Sequence, residues 1–326
     1  MQIASRFGAA IHRASTSLEA VAARQHRAIE PRAKDPFAGV LPWELNSRDA
    51  LEVPAFDAEI GSLLLEYAGV ALINGAIPRA RALETGRAAC AIADEVRAAV
   101  RARGFDPEDA TKPFRFAEAC SRGAGRLDLR QYKMDELSKL PQDTWLPIVN
   151  TALGGDARLL CSGLVVTQPG TAEQAWHADG PPVPREEWQR HGVDCPPPPA
   201  TLPAHALTVF VPLVDLTAEN GPTAFLPGTH ASVTSAALAE EAREAGSSAG
   251  AGAHVRLEAD AGSAILFDYR TFHAGGANRG DRPRPILYFV YARSWYRDVH
   301  NWPEESLFAS PTLREVADVW ENTEVW

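Results

Sequence analysis

The sequence predicts a mainly β fold with flanking helices, and three observations carry that reading. Beyond Met134, short β-branched runs alternate with Gly, Pro, Asn and Asp clusters, at 164–167, 207–214, 263–268 and 286–293. Clear helical periodicity is confined to an earlier segment. The residues between the first two runs, 180–203, are so proline-dense that they read as a surface loop rather than a helix or central strand.

Taken in order, residues 1–45 are Ala- and Arg-rich and end in a Pro-bearing stretch, which reads as an arm or linker ahead of a domain spanning 46–326. Residues 67–77, YAGVALINGAI, form an apolar run suited to a buried strand, with Pro78 placed to open a helix. From 79 to 103, Leu83, Cys90, Ile92, Val96 and Val100 recur at helical spacing, and Gly104 marks the stop. The short runs after Met134 then build a sandwich or barrel. Residues 235–254 begin as a short helix and decay into a Gly/Ser/Ala linker.

Charge and composition exclude several classes. With 32 Lys plus Arg against 42 Asp plus Glu, the formal charge of −10 repels a nucleic-acid backbone. No apolar run is long enough to cross a bilayer, so no membrane role is expected. The four cysteines lack CxxC spacing, which favours a reducing, cytoplasmic setting. The Arg- and Ser-bearing first 18 residues give organellar targeting as the alternative.

The chemistry centres on QAWHADG at 174–180, where His177 and Asp179 stand two apart at the expected end of a strand and so face one side. Two His and one carboxylate on one face of a metal, with the other positions open, characterise non-haem Fe(II) oxygenases. The same donors also suit zinc. His273, in FDYRTFHAGGANRGDRPRP, supplies the second imidazole, and Gly275 and Gly276 allow a tight turn beside it. Taken alone, HxD also fits a surface His and Asp flanking a turn.

Three blocks in order, WHADG at 176–180, ENGPTAFLPGTH at 219–230 and GSAILFDYRTFHAGGANRGDRPR at 262–284, resemble the phytanoyl-CoA dioxygenase family of Fe(II)- and 2-oxoglutarate-dependent oxygenases. The resemblance implies a double-stranded β-helix, a cupin-like jelly-roll, with His177, Asp179 and His273 as iron ligands. It also implies Fe(II), the cosubstrate 2-oxoglutarate and O2, and hydroxylation of an unactivated C–H bond. A late-strand arginine would hold the far carboxylate of 2-oxoglutarate, the planar guanidinium matching it through two parallel hydrogen bonds. Arg284 is the first candidate and Arg282 the second, with Gln174 and Thr223 as further cosubstrate contacts. Some members carry a hydroxyl residue two positions after the distal His, and here that position is Gly275.

Trp176 reads as packing under the site and His230 as supporting structure. Arg122, Arg126 and Arg130 lie either at a substrate mouth or on a solvated charge run. The loop after Asp179, with Trp188, is expected to act as a lid that shapes specificity. The partner is a small molecule, a metabolite or natural-product intermediate rather than an acyl-CoA, given the acidic chain, and the protein is expected as a monomer or homodimer. The alternatives are a non-catalytic metal-binding scaffold and a Zn(II) hydrolase.

Overall fold

The computed structural model describes residues 37, 40, 44–130, 139–193, 195, 202–231, 254–298 and 306–308. The expectations for residues 1–36 and for most of 235–254 lie outside them.

Among the described residues four α-helices precede or interrupt the strands: α1 Ala58–Tyr67, α2 Arg79–Ala102, α3 Leu146–Ala152 and α4 Arg185–Arg190. Asp57 caps α1, its carboxylate accepting from the backbone N–H of Glu59 (2.9 Å) and Ile60 (3.1 Å). Helix α2 buries the stripe Ala82, Ala89, Ile92, Ala93, Val96 and Val100 and stops before Gly104, whose φ of +83° a side chain would strain. The strand expected over 67–77 is shorter, because Tyr67 completes α1 and only β1 Val70–Ile73 is extended.

The strands after β1 are β2 Ala119–Ser121, β3 Arg126–Arg130, β4 Ala157–Thr167, β5 Ala206–Pro212, β6 Ala224–Phe225, β7 Val255–Arg256, β8 Ala264–Asp268, β9 His273–Ala274 and β10 Arg284–Arg293. They form a seven-stranded antiparallel sheet, β1-β8-β5-β10-β4-β3-β2, and a three-stranded sheet, β7-β6-β9. The mainly β fold is the one the strand pattern predicted, and it is the jelly-roll that the family resemblance implied. Strand character begins earlier than expected, since β2 and β3 precede Met134.

Period-two alternation sorts the large sheet's side chains to two faces. Leu127 and Leu129, Leu164 and Val166, Leu207, Val209 and Val211, and Leu287 and Phe289 join the main core beneath the helices. There Trp145 packs on Phe289 with ring centroids 5.7 Å apart, and its indole N–H donates to the Tyr291 hydroxyl at 3.1 Å. The residues between them face the opposite way, into a cavity of about 700 Å³.

The proline-dense segment differs from the expectation in two ways. Residues 185–190, REEWQR, contain no proline, so Pro184 can precede helix α4, which the sequence reading had excluded. Trp188 is fully buried between Trp295, His205 and the Arg293 guanidinium, and among the described residues 180–203 none lines the cavity. This aromatic anchor fixes the described part of the loop away from the site, so Trp188 is a packing residue rather than a lid tip.

Candidate active site

At one end of the cavity His177, Asp179 and His273 present ligand atoms that all lie within 4.8 Å of one another. His177 does not end a strand. β4 stops at Thr167, and His177 meets His273 of β9 through an isolated antiparallel bridge, with N–H to carbonyl bonds of 3.0 and 2.8 Å. Two residues on, the Asp179 N–H donates to the Tyr269 carbonyl at 3.0 Å. The backbone of one chain segment is thus pinned to the turn and strand that carry the second histidine, and the three side chains converge.

Both imidazoles are fixed in one tautomer. His177 Nδ1 lies 3.0 Å from the Ala175 carbonyl and His273 Nδ1 3.0 Å from the Thr271 carbonyl. A carbonyl can only accept, so each Nδ1 carries a hydrogen and each Nε2 is the atom turned toward a metal. Burial and the adjacent His273 hold the pKa of His177 down to about 4, which keeps it neutral. Asp179 divides its oxygens: Oδ2 accepts from the Thr208 hydroxyl at 2.8 Å, and Oδ1 lies 3.6 Å from His273 Nε2. Two imidazoles with their Nδ1–H groups engaged and a carboxylate with one engaged oxygen form a donor set that fits Fe(II).

The other end of the cavity is cationic. Arg284, at the start of β10, stands in register with Thr167 of β4, which in turn pairs with Arg126 of β3. Both guanidiniums are buried, and among the described residues all their hydrogen bonds are to neutral groups. Arg284 donates to the Asn220 and Gly276 carbonyls and the Thr167 hydroxyl at 2.9 to 3.3 Å, while Arg126 donates to the Ala172, Gly275 and Gly276 carbonyls and the same hydroxyl at 3.1 to 3.4 Å. Arg284 Nε has no hydrogen-bond partner among the described residues. Burial, and then the nearby Arg126, lower the Arg284 pKa to about 9, and burial lowers that of Arg126 to about 10. Two desolvated cations side by side define a place for an anion.

Arg282 points elsewhere: its side chain is 89% exposed and lies 4.0 Å from Asp281. Thr223 is buried and lines the cavity. Gln174 also lines it, and its side-chain oxygen accepts from the Gly275 N–H at 3.1 Å while its own N–H donates to the Gly275 carbonyl at 2.9 Å. A Cβ at Gly275 would come within 2.4 Å of that oxygen, so Gln174 fills the space of the side chain that Gly275 lacks. Trp176 packs against Ala224, Leu226 and Ala274, and His230 is buried away from the cavity, its Nε2 bonded to the Glu66 carbonyl at 2.9 Å.

The arginines of 122–130 are not a solvated run. In β3 the sequence RLDLR sends Leu127 and Leu129 to the core and Arg126, Asp128 and Arg130 into the cavity, where all three are buried. Thr208 and Asp128 had drawn no attention in the sequence. The period-two pattern of RLDLR was the available signal, but the same alternation also describes a strand with one wet face.

The sequence model of the phytanoyl-CoA dioxygenase family, PhyH, matches residues 60–286, about 70% of the chain. The chain belongs to that family. The match takes in every cavity residue named so far. Dioxygenase af480 of Aspergillus fumigatus is 25% identical over 305 residues, covering 89% of this chain and 85% of that protein. The iron/alpha-ketoglutarate-dependent dioxygenase ausU of Aspergillus calidoustus is 29% identical over 139 residues, 42% of this chain and 40% of its own length. Among solved structures, AviO1 from Streptomyces viridochromogenes Tue57 superposes with a TM-score of 0.51 at 18% identity, covering 77% of this chain and all of that one, which supports the fold.

Proposed function

We propose that this chain is an Fe(II)- and 2-oxoglutarate-dependent dioxygenase that hydroxylates a C–H bond of a small metabolite or natural-product intermediate. In this reading His177, Asp179 and His273 hold the iron, and Arg284, with Arg126 beside it, receives the far carboxylate of 2-oxoglutarate. One observation carries it: a single cavity is lined by a His-Asp-His donor set and by two buried arginines whose hydrogen bonds, among the described residues, go only to neutral groups. A dicarboxylate that chelates a metal with one end and meets a guanidinium with the other matches that pair of features.

Bound iron supplies the activation of O2 and the oxidising power, while the chain's own groups position and enclose. Nδ1–H bonds to the Ala175 and Thr271 carbonyls aim the imidazoles, and Thr208 holds one oxygen of Asp179. Phe210, Ile286 and Val290 furnish an apolar wall that keeps water from the reacting centre. A cavity of about 700 Å³ lies within the range of about 300–1,000 Å³ usual for small ligands, and it must hold 2-oxoglutarate as well. That favours a compact substrate over an acyl-CoA. The scaffold and Zn(II) hydrolase alternatives are not favoured, because the chain belongs to a dioxygenase family.

We read residues 46–326 as one dioxygenase domain with a helical N-terminal part and 1–45 as an arm, in a cytoplasmic monomer or homodimer. No described helix is long and apolar enough to cross a membrane. The test is succinate release from 2-oxoglutarate by the Fe(II)-loaded protein under air, screened against a metabolite library. Stimulated release by one compound class is expected, and no 2-oxoglutarate consumption with any compound contradicts the reading. Zinc in place of iron should leave the protein inert.

A further inference from the structure

Beyond the two ends already described, the cavity has a third polar region at its β2–β3 margin. Asp128 is buried there, and its charge is met inside the fold: Arg130 donates to Oδ2 at 3.1 Å and the Tyr288 hydroxyl to Oδ1 at 2.8 Å. Arg122, from the β2–β3 turn, donates from Nε to the same Oδ2 at 2.9 Å. Three donors therefore crowd one carboxylate, and two of them are guanidiniums on a single oxygen. Asp128 needs no second arginine for its burial. Arg122 lines the cavity with 38% of its side chain exposed, and among the described residues no other acid forms an ion pair with it.

We infer that Arg122 is the substrate's anchor and that the substrate carries a carboxylate, held by this guanidinium while its reacting carbon lies at the metal residues. The inference rests on the proposed dioxygenase reading, which fixes where the reacting carbon must be. Arg126 and Arg284 are committed to the cosubstrate in that reading, and Arg122 is the exposed cation that remains. An arginine edge suits a planar carboxylate.

The sheet also sets the character of the substrate's body. Thr208, which touches Asp179, is on β5, and the order β5-β10-β4-β3 puts three inter-strand steps of about 4.8 Å, roughly 14 Å of sheet, between it and the strand bearing Asp128. The floor between is apolar or aromatic. Gly163 of β4 leaves room for the Tyr288 ring, whose atoms would lie 2.1 Å from a Cβ at that position, and Val165, Ile286 and Phe210 complete the surface.

The experiment uses the full chain loaded with redox-inert Mn(II) and 2-oxoglutarate, titrated calorimetrically with octanoate, its methyl ester and acetate. Octanoate is expected to bind at least about tenfold more tightly than either, and Arg122→Gln to weaken octanoate by about tenfold. Arg122→Lys should retain part of the preference for acid over ester. Affinities for Mn(II) and 2-oxoglutarate should be unchanged in both variants, which shows the fold intact. Equal binding of acid and ester, no binding of octanoate, or no loss in Arg122→Gln overturns the inference while leaving the dioxygenase reading standing. Failure of the wild-type protein to take up 2-oxoglutarate with metal defeats that reading, and this inference with it.

Discussion

The two ends of the cavity are built on different principles. At the metal end the chain completes its own arrangement: carbonyls orient both imidazoles, a hydroxyl orients the carboxylate, and backbone bridges bring 177–179 against 269–273. At the arginine end Arg126 and Arg284 face each other with only neutral acceptors, and burial pulls both pKa values down. One end is finished by protein and needs only a cation; the other is left electrostatically open and is finished by an anion. Substitutions at the two ends should therefore separate metal affinity from cosubstrate affinity.

The largest expected effect is at the open end. Truncating one partner of a buried charged pair typically costs about 2–5 kcal/mol, so Arg284→Ala should raise the 2-oxoglutarate dissociation constant at least about thirtyfold with metal affinity retained. Arg126→Ala should fall in the same direction, and Arg282→Ala, at an exposed position, should stay close to wild type. Calorimetric titration of the metal-loaded variants checks this. A larger penalty at Arg282 than at Arg284 erases the contrast between the ends.

At the finished end, losing the Thr208 hydroxyl frees Asp179 Oδ2. Partners of this kind are typically worth about 10- to 100-fold in metal affinity, so Thr208→Val should weaken metal binding by about that factor and Thr208→Ser should restore it. Competition with a metal-sensitive dye measures it. If Thr208→Val alters 2-oxoglutarate affinity and not metal affinity, the division of labour drawn here is wrong.

Much of this contrast was legible in the sequence at one end and not at the other. The metal residues lie in contiguous blocks, WHADG and the run through His273, whose residue types are rare together, and Arg284 closes the third block. Arg126 and Asp128 lie in RLDLR, and a Leu/charge alternation says that two faces differ without saying whether the charged one meets water or a cavity. Only the pairing of β3 with β4 decides that. Thr208 in LTVFVP has no local mark at all, because its role depends on a carboxylate 29 residues away in sequence. Helix α4 was hidden by averaging proline over a segment whose prolines flank, rather than interrupt, residues 185–190. The mainly β class was readable because short β-branched runs and turn clusters repeat along the chain, and the resemblance of the three blocks narrowed it to a jelly-roll.

The smallest effect concerns stability rather than ligands and lies outside both ends. His205 is fully buried beside Trp188 and Tyr296, with no hydrogen-bond partner for either ring nitrogen among the described residues. Burial, and then Arg270, push its pKa down to about 3. The unfolded chain takes up a proton below about pH 6.5 that the folded chain refuses until about pH 3, so stability is present above that window and is lost as pH falls through it. At pH 5 the loss from this group is about 2 kcal/mol. In His205→Leu the difference in denaturant midpoint between pH 7.5 and pH 5 should shrink accordingly, with ligand binding at both ends of the cavity unchanged.

The most direct test of the account is a titration of 2-oxoglutarate into the anaerobic protein with and without Fe(II), in wild type and Asp179→Ala. The account predicts one 2-oxoglutarate bound per wild-type chain only when one Fe(II) is present, and loss of that metal-dependent binding in Asp179→Ala. Metal-independent binding of equal strength, or undiminished iron-dependent binding in Asp179→Ala, would contradict it.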